Sequence, residues 1–433
     1  MPLDKKPLEL SGDFQYALDL LEKQGKNVFI TGRAGTGKST LLQLFRQTAR
    51  KKAVVLAPTG IAALNVKGQT IHSFFGFPPR PLSRQDIKKR RDRRLYRNLE
   101  MIVIDEVSMV RADLLDNIDW FLRINRENPL PFGGLQVAFF GDLFQLPPVV
   151  ANDVEARRFE LEYSSPYFFS AHVFEEGFEM ETLELGKVYR QENRHFLRLL
   201  DAVRVNLADY EDLEDLNSRH QPTFESEDFF ITLSATNAKV DAINRDRLQR
   251  IPLPERKYLA TVSGEFDPRL YPTDAVLQLK LGAQVMFLKN DPDKQFVNGT
   301  IGQVTDMKDD SVTVMVEGPD GQRRTIEAGL MDWEILRYKA ALDDPNKIET
   351  ETIGTFRQFP LRLAWAITIH KSQGKTFDKV IIDLGRGAFE HGQAYVALSR
   401  CRSLEGIVLK QPIRMQDIIT DERVVEYFER NFR

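Results

Sequence analysis

Cysteine is nearly absent from the 433-residue chain. Cys401 stands alone, so neither a disulfide framework nor a cysteine-built zinc site is available. The six histidines are scattered with no HxxxH pair, which gives no ground for a structural transition metal. No apolar run approaches the ~20 residues of a membrane-spanning helix, so no membrane partner is expected. Excess charge of either sign is lacking too: 60 Lys and Arg against 63 Asp and Glu leave a net −3. A polyanionic partner must therefore be argued from local patches. The opening MPLDKKPLELSGDF has neither the apolar core of a secretory signal nor the Arg/Ser bias of a transit peptide, and a cytoplasmic location is expected.

What the sequence does have is length and pattern. At ~150 residues per domain it implies roughly three folded units, and 42% apolar with 28% charged residues is an ordinary globular balance. The first third alternates predicted strands (Asn27–Thr31, Ala53–Leu56, Met101–Ile104, Gln136–Phe140) with predicted helices (Lys38–Arg50, Leu114–Arg126). That alternation predicts a parallel sheet covered on both faces. A second α/β unit is expected from Phe229–Leu233, Ala238–Gln249, Leu361–Ile367, Lys379–Asp383 and Gly406–Leu409, with the boundary between the units near Glu175–Glu184. Between 283 and 355, short strand-like runs punctuated by Asn298-Gly299, Asp309-Asp310 and Asp320-Gly321 predict a small antiparallel barrel. Phe77–Asn98 carries nine Lys and Arg against Asp86 and Asp92 and reads as a surface insertion.

Gly32-Arg-Ala-Gly35-Thr36-Gly37-Lys38-Ser39, followed by Thr40, fits GxxxxGK[ST] between a predicted strand and a predicted helix. Backbone N–H groups of such a loop cradle phosphates, and the helix N-terminus adds a partial positive charge. Lys38 is placed on the β- and γ-phosphates of ATP and Ser39 on Mg²⁺. Asp105 and Glu106, at the tip of Met101–Ile104, supply the acidic partner. Asp105 is expected to hold Mg²⁺ through water, and Glu106 to orient and deprotonate the attacking water. Without the upstream loop the same two acids would equally suit a helix start. Gln145, in Gly141-Asp142-Leu-Phe-Gln145-Leu-Pro-Pro148, has the reach to touch both γ-phosphate and water, although a turn amide serving local backbone is an equal reading of the residue by itself.

The segments TGRAGTGKST, APTGIAA, GQTIHSFF, IDEVSM, FGGLQVAFFGDLFQLPPV, YRQ, IHKSQGKT and YVALSRCR occur in order along nearly the whole chain. As a set they resemble the superfamily-1 helicases, most closely the petite-integration-frequency (PIF-type) 5′→3′ DNA helicases; the FGGLQV…GDLFQLPP stretch, preceded by Arg123, looks like that family's signature. The resemblance implies an α/β fold of two RecA-like parallel-sheet domains. The first, 1–180, holds a basic insertion at about 64–98. The second is formed by 181–282 and 356–433, with an SH3-like β-barrel inserted at 283–355. It implies that Gln15 reads adenine, although one extra residue separates Leu10-Ser11 from it, and that Gly374 belongs to the nucleotide site. It also implies that Arg190 and Arg400 reach the γ-phosphate from the second domain, where spacing leaves Arg194 and Arg402 as rivals. Tyr189 has two readings, packing on the base or on its own core.

Translocation needs a sequence-indifferent groove over both units. Pro58 and Thr59 at a strand-to-helix turn, then Asn65, Thr70, His72, Ser73, Phe74, Phe75 and Phe77, are candidates in the first, as are Thr236, Asn237, His370 and Lys371 in the second. The bland alternatives are a satisfied histidine, a core aromatic and a helix N-cap. The expected partners are single-stranded DNA and single-strand/duplex junctions; nothing in the sequence demands more than a monomer, and assembly on DNA stays open. The leading expectation is an ATP- and Mg²⁺-dependent 5′→3′ DNA helicase. Alternatives are a translocase that displaces proteins with weak unwinding, a DNA-binding module with a degenerate ATP site, and an RNA helicase.

Overall fold

The computed structural model describes residues 11–432 except 79, 151–152, 192, 226–227, 319–320, 342–343 and 345–346, together with the side chains of all but 153, 154 and 158. Leu10 and Asp320, which belong to two of the sequence patterns above, lie outside it.

Six parallel strands form the first lobe, in the spatial order Gln69–Thr70, Ala53–Ala57, Met101–Ile104, Gln136–Phe140, Val28–Gly32 and Glu181–Leu185. The central ones are buried along their whole length, which is why they read as unbroken apolar runs rather than alternating ones. Since all six run the same way, their C-terminal ends share one edge, and Gly32, Pro58, Asp105 and Gly141 are brought together there. Four parallel strands make the second lobe, in the order Ala366–Thr368, Ile231–Ser234, Val380–Asp383, Ile407–Leu409. Thr236 and His370 follow two of its C-terminal ends.

Three assignments change. Glu181–Leu185, given to the second unit by pattern, pairs with Val28–Gly32 over five residues and closes the first sheet. Leu361–Ile367 is not one strand: Leu361–Leu363 pairs antiparallel with Gln284–Phe287, and Ala366–Thr368 pairs parallel with Ile231–Ser234. Antiparallel pairing also starts well before 283, with Arg256–Leu259 against Val276–Leu279 and Thr261–Gly264 against Ile348–Gln358. Strand partners are chosen by burial across the fold, which a local pattern does not carry.

The inserted β structure holds a five-stranded antiparallel sheet and a long hairpin, Met331–Ala340 with Ile348–Gln358. Tyr338, near the hairpin's far end, joins the first lobe's core: its Oη accepts from Val55 N–H at 3.2 Å, and its own N–H donates to Gln69 Oε1 at 3.2 Å. The C-terminal helix Glu422–Asn431 also returns to the first lobe. Val424 is buried there, and Phe428 and Phe432 pack on Phe144 and Phe29 with ring centroids 5.2 and 5.9 Å apart.

His391 pins that return. Asp421 N–H donates to Nδ1 at 2.8 Å, so the proton sits on Nε2, which donates to Leu143 O at 2.8 Å. The ring is neutral, and burial holds its pKa below the ordinary 6.5. A histidine depressed in this way gives stability that is complete above about pH 6.5 and lost as pH falls toward the folded value. His391→Asn is therefore expected to be less stable than wild type by about 1 kcal/mol at mildly alkaline pH. The gap in Tm should narrow as pH drops to about 5; a gap that thermal unfolding finds constant with pH would mean that His391 does not titrate.

Candidate functional site

The phosphate loop joins Val28–Gly32 to the helix Lys38–Thr48. Gly35 and Gly37 both have φ of +86°, where a side chain would be strained, and a Cβ would also collide with Arg190 Cβ (2.5 Å) or the Phe14 ring (2.9 Å). Lys38 Nζ donates to Gly32 O at 2.5 Å and Arg33 O at 3.1 Å. Burial lowers its pKa, while the charges of Asp142 and Glu106 oppose the drop. Thr36 is buried and its hydroxyl donates to Arg33 O at 3.0 Å, so that side chain shapes the loop. Ser39 and Thr40 are exposed at the helix start.

Asp105 follows Met101–Ile104, with its N–H on Leu56 O at 2.8 Å. Glu106 sits in the left-handed region at φ +51°, an uncommon conformation for glutamate that is found at functional turns. Burial pushes the Asp105 carboxyl up to about 7 with Glu106 adding to it, and burial also raises Glu106 against the pull of Lys38 and Arg400. Two desolvated acids that gain from a nearby cation suit a metal-bearing phosphate, and Ser39 and Asp105 have the donor chemistry for Mg²⁺. Gln145 is buried with its Nε2 on Asp142 Oδ2 at 3.1 Å.

The second lobe brings two guanidiniums to this edge. Arg190 lies on the loop: Tyr189 N–H donates to Gly35 O at 2.9 Å, and Arg190 Nη1 donates to Ser399 O at 2.9 Å. Arg400 is 1% exposed, and its Nε and Nη2 donate to Val396 O and Ser399 Oγ at 2.9 and 2.8 Å. Burial, with the Arg400 charge adding to it, brings Arg190 down to about 9, and burial opposed by Tyr395, Glu106 and Asp142 brings Arg400 down to about 10; both stay charged at neutral pH. Neither has an ion pair among the described residues. The rivals differ: Arg402 pairs with Asp378 at 3.0 Å, and Arg194 is exposed at the start of its helix. Tyr189 is 49% exposed beside Gly37 and Phe14, so it does not pack on a core of its own. Gln15 is exposed one residue from Phe14.

The nucleic-acid candidates fare unevenly. Phe77 is not a groove residue: it is 8% exposed, stacks on Phe75 at 5.3 Å and meets Phe121 edge-on. Phe74 and Phe75 are buried in the same cluster, so none of the three is free to stack on a base. Thr59 caps the helix Gly60–Asn65 by accepting from Ala62 N–H at 3.2 Å, beside half-buried Pro58. Ser73 Oγ accepts from Gln69 Nε2 at 2.9 Å, and His72 is half-buried. His370 Nε2 lies 3.2 Å from Glu390. Asn65, Asn237, Lys371 and Gly374 are exposed, and exposed Thr236 precedes its helix without a side-chain cap bond.

In the basic insertion, Lys89, Arg93 and Arg97 converge on Glu127, Arg80 pairs with Asp86 and Arg94 with Asp92. Arg84 lies over Trp120, and Arg90 donates to Phe75 O. Arg123 instead pairs with Asp119 at 2.9 Å, whose Oδ1 accepts from Phe132 N–H at the start of the signature segment, and donates to Pro129 O at 3.1 Å.

Several residues went unnoticed in the sequence, among them Arg362 and Lys375, which join the already named Lys371. Arg362, Lys371 and Lys375 gather where the barrel meets the second lobe, with Lys375 Nζ on Asn298 Oδ1 at 2.7 Å and no ion pair to any of the three among the described residues. Burial, with Arg362 adding to it, brings Lys375 down to about 8. Phe14, Asp142, Arg204 and Tyr395 border the phosphate loop; Asp142 and Tyr395 lie inside quoted segments, whereas nothing local marks Arg204.

A family model described as "PIF1-like helicase" matches residues 14–206, and one described as "DNA helicase Pif1, 2B domain" matches 271–307. The ATP-dependent DNA helicase Pif1 of Bdellovibrio bacteriovorus is 35% identical over 98% of this chain and 92% of that protein. The zebrafish ATP-dependent DNA helicase PIF1 is 36% identical over 93% of this chain, which spans 60% of that longer protein. Among solved structures, Bacteroides sp Pif1 in complex with ADP-AlF4 is 39% identical and superposes with a TM-score of 0.90, covering 98% of this chain and 97% of that one. The Bacteroides Pif1 bound to ssDNA, at the same identity and coverage, gives 0.69.

Proposed function

The chain belongs to the PIF1-like helicase family, and from that premise we propose that it is an ATP-dependent DNA helicase that translocates 5′→3′ on single-stranded DNA and opens single-strand/duplex junctions. The observation that carries the reading is the pair of second-lobe cations, Arg190 and Arg400, set against the phosphate loop and Glu106 of the first lobe. A charge developing on the γ-phosphoryl is stabilised by both only when the lobes are closed, which ties turnover to lobe movement.

Lys38 exchanges its carbonyl partners for phosphate oxygens, Glu106 takes the proton of the attacking water, and Gln145 orients that water. Ser39 and Asp105 would hold Mg²⁺, which would neutralise phosphate charge. Tyr189 and Phe14 flank the loop where the base lies. The difference between the two TM-scores supports a rearrangement on binding single strand.

ATP turnover with and without oligo-dT, beside unwinding of 5′-tailed and 3′-tailed duplexes, tests the reading. Turnover indifferent to single strand would defeat it, and unwinding of 3′-tailed duplex alone would reverse the polarity.

On the strand track the Arg362–Lys371–Lys375 cluster is the best phosphate seat: burial and the Arg362 charge disfavour the charged lysines, Asp241 and Asp274 offset part of this at Arg362 and Lys371, and an anion relieves the rest. Arg362→Ala should weaken oligo-dT binding and reduce the slope of log K against log salt by about 0.7, the single-strand value for one phosphate contact. An unchanged slope in fluorescence-anisotropy titrations removes the contact. In the basic insertion Lys89, Arg93 and Arg97 already share Glu127, so neutralising those three should change that slope little.

A further inference from the structure

Beneath the phosphate loop, where the lobes meet, lies a buried polar cluster that the roles above leave unused. Asp142, at the end of strand Gln136–Phe140, is 1% exposed, and both its oxygens are engaged. Oδ1 accepts from Phe144 N–H at 3.2 Å and Arg204 Nη2 at 3.1 Å; Oδ2 accepts from Gln145 Nε2 at 3.1 Å and lies 3.5 Å from Tyr395 Oη.

Arg204 and Tyr395 come from the other lobe. Arg204 ends the helix Arg194–Arg204, whose apolar face packs in the second core, and its 4%-exposed side chain crosses to Asp142 and, at 3.4 Å, to Glu184. Its guanidinium is sandwiched by Phe144 and Phe428, at 4.3 and 5.3 Å from their ring centres. Tyr395, on helix Gln393–Leu398, accepts from the phosphate-loop Ala34 N–H at 2.9 Å. One hydroxyl thus touches both the loop and Asp142.

The chemistry of Asp142 dictates the amide orientation. An ionised carboxylate only accepts, so Gln145 must face it with Nε2. That leaves Gln145 one N–H and its Oε1, the donor and acceptor needed to bridge a phosphate oxygen and a water. A buried Arg–Asp pair is a poor source of stability compared with apolar packing; placed across a lobe interface, it is well suited to fixing geometry.

We propose that Arg204 and Tyr395 are positioning residues for ATP turnover: from the second lobe they fix the Asp142 carboxylate, and Asp142 fixes the Gln145 amide. Separation of the lobes withdraws both, frees Asp142 to rotate and unsets Gln145. This inference rests on the reading of the cleft as an ATP site.

The test is a set of cycles. Tyr395→Phe, Arg204→Lys and Arg204→Met are each combined with Gln145→Ala, and kcat and KM for ATP are measured with saturating oligo-dT, beside thermal unfolding. Tyr395→Phe should lower kcat roughly tenfold with KM nearly unchanged, the scale of one lost orienting hydrogen bond. Arg204→Met should lower kcat further, and Arg204→Lys should restore part of it. On the Gln145→Ala background none of them should lower kcat again. Losses that multiply on that background, single variants with wild-type kcat, or a Gln145→Ala enzyme at full rate would each overturn the proposal while leaving the ATP site standing. A wild-type chain without turnover would remove the ATP reading and this inference together. Should Arg204→Met fail to fold, Tyr395→Phe, which deletes one oxygen, carries the test.

Discussion

Arg400→Ala is expected to lower single-strand-stimulated ATP turnover by roughly a thousandfold or more, the scale of an arginine supplied to a transferring phosphoryl group. The guanidinium is fully buried, held by Val396 O and Ser399 Oγ, and close enough to Glu106 for the two charges to influence one another. It has no carboxylate partner among the described residues, and Arg190 feels its charge as a repulsion. Burial makes such a cation costly to the resting fold, the Glu106 and Asp142 charges offset part of that cost, and an arriving anion compensates it further. Stability and activity should therefore part company: Arg400→Met should unfold within a few degrees of wild type, or above it, while its turnover collapses. Parallel thermal unfolding and steady-state ATPase measurements check this. A near-wild-type rate would take Arg400 out of the site, and a large drop in Tm would make its role structural.

Lys38→Ala should reduce turnover by roughly a hundred- to a thousandfold, as for the loss of a preorganised donor at a developing charge, and should abolish movement along the strand. The ammonium now rests on two carbonyl oxygens of its own loop, at 2.5 and 3.1 Å, and burial already lowers its pKa. Neutral carbonyls are weak partners for a desolvated charge, so exchange for phosphate oxygens is favourable. Oligo-dT binding without nucleotide should survive the substitution, because the role proposed for Lys38 is toward the phosphates and not along the proposed strand track. Anisotropy and ATPase measurements on one preparation separate the two effects, and loss of both would point to misfolding.

The nucleotide half of the site was legible because its chemistry is local. A strand, a glycine turn and a helix start follow one another within Val28–Thr48, and Asp105-Glu106 directly follows a buried strand. The strand track was less legible. Whether Phe77 faces a groove or a core depends on Phe75 and Phe121, and no spacing rule reports that packing. The resemblance put Arg190 and Arg400 ahead of Arg194 and Arg402; the structure adds that Arg190 lies against Gly35 and that Arg402 pairs with Asp378.

By itself, then, the sequence determined the α/β class, the phosphate loop with its acids, and the ordered motifs that mark a two-lobed helicase, since each is written in consecutive residues. Only the tertiary structure decided that Glu181–Leu185 and Glu422–Asn431 serve the first lobe, that Glu127 quenches much of the basic insertion, and that Arg204 crosses to Asp142. Those pairings join residues tens to hundreds of positions apart, and they are selected by burial and charge compensation, which exist only once the chain has closed on itself.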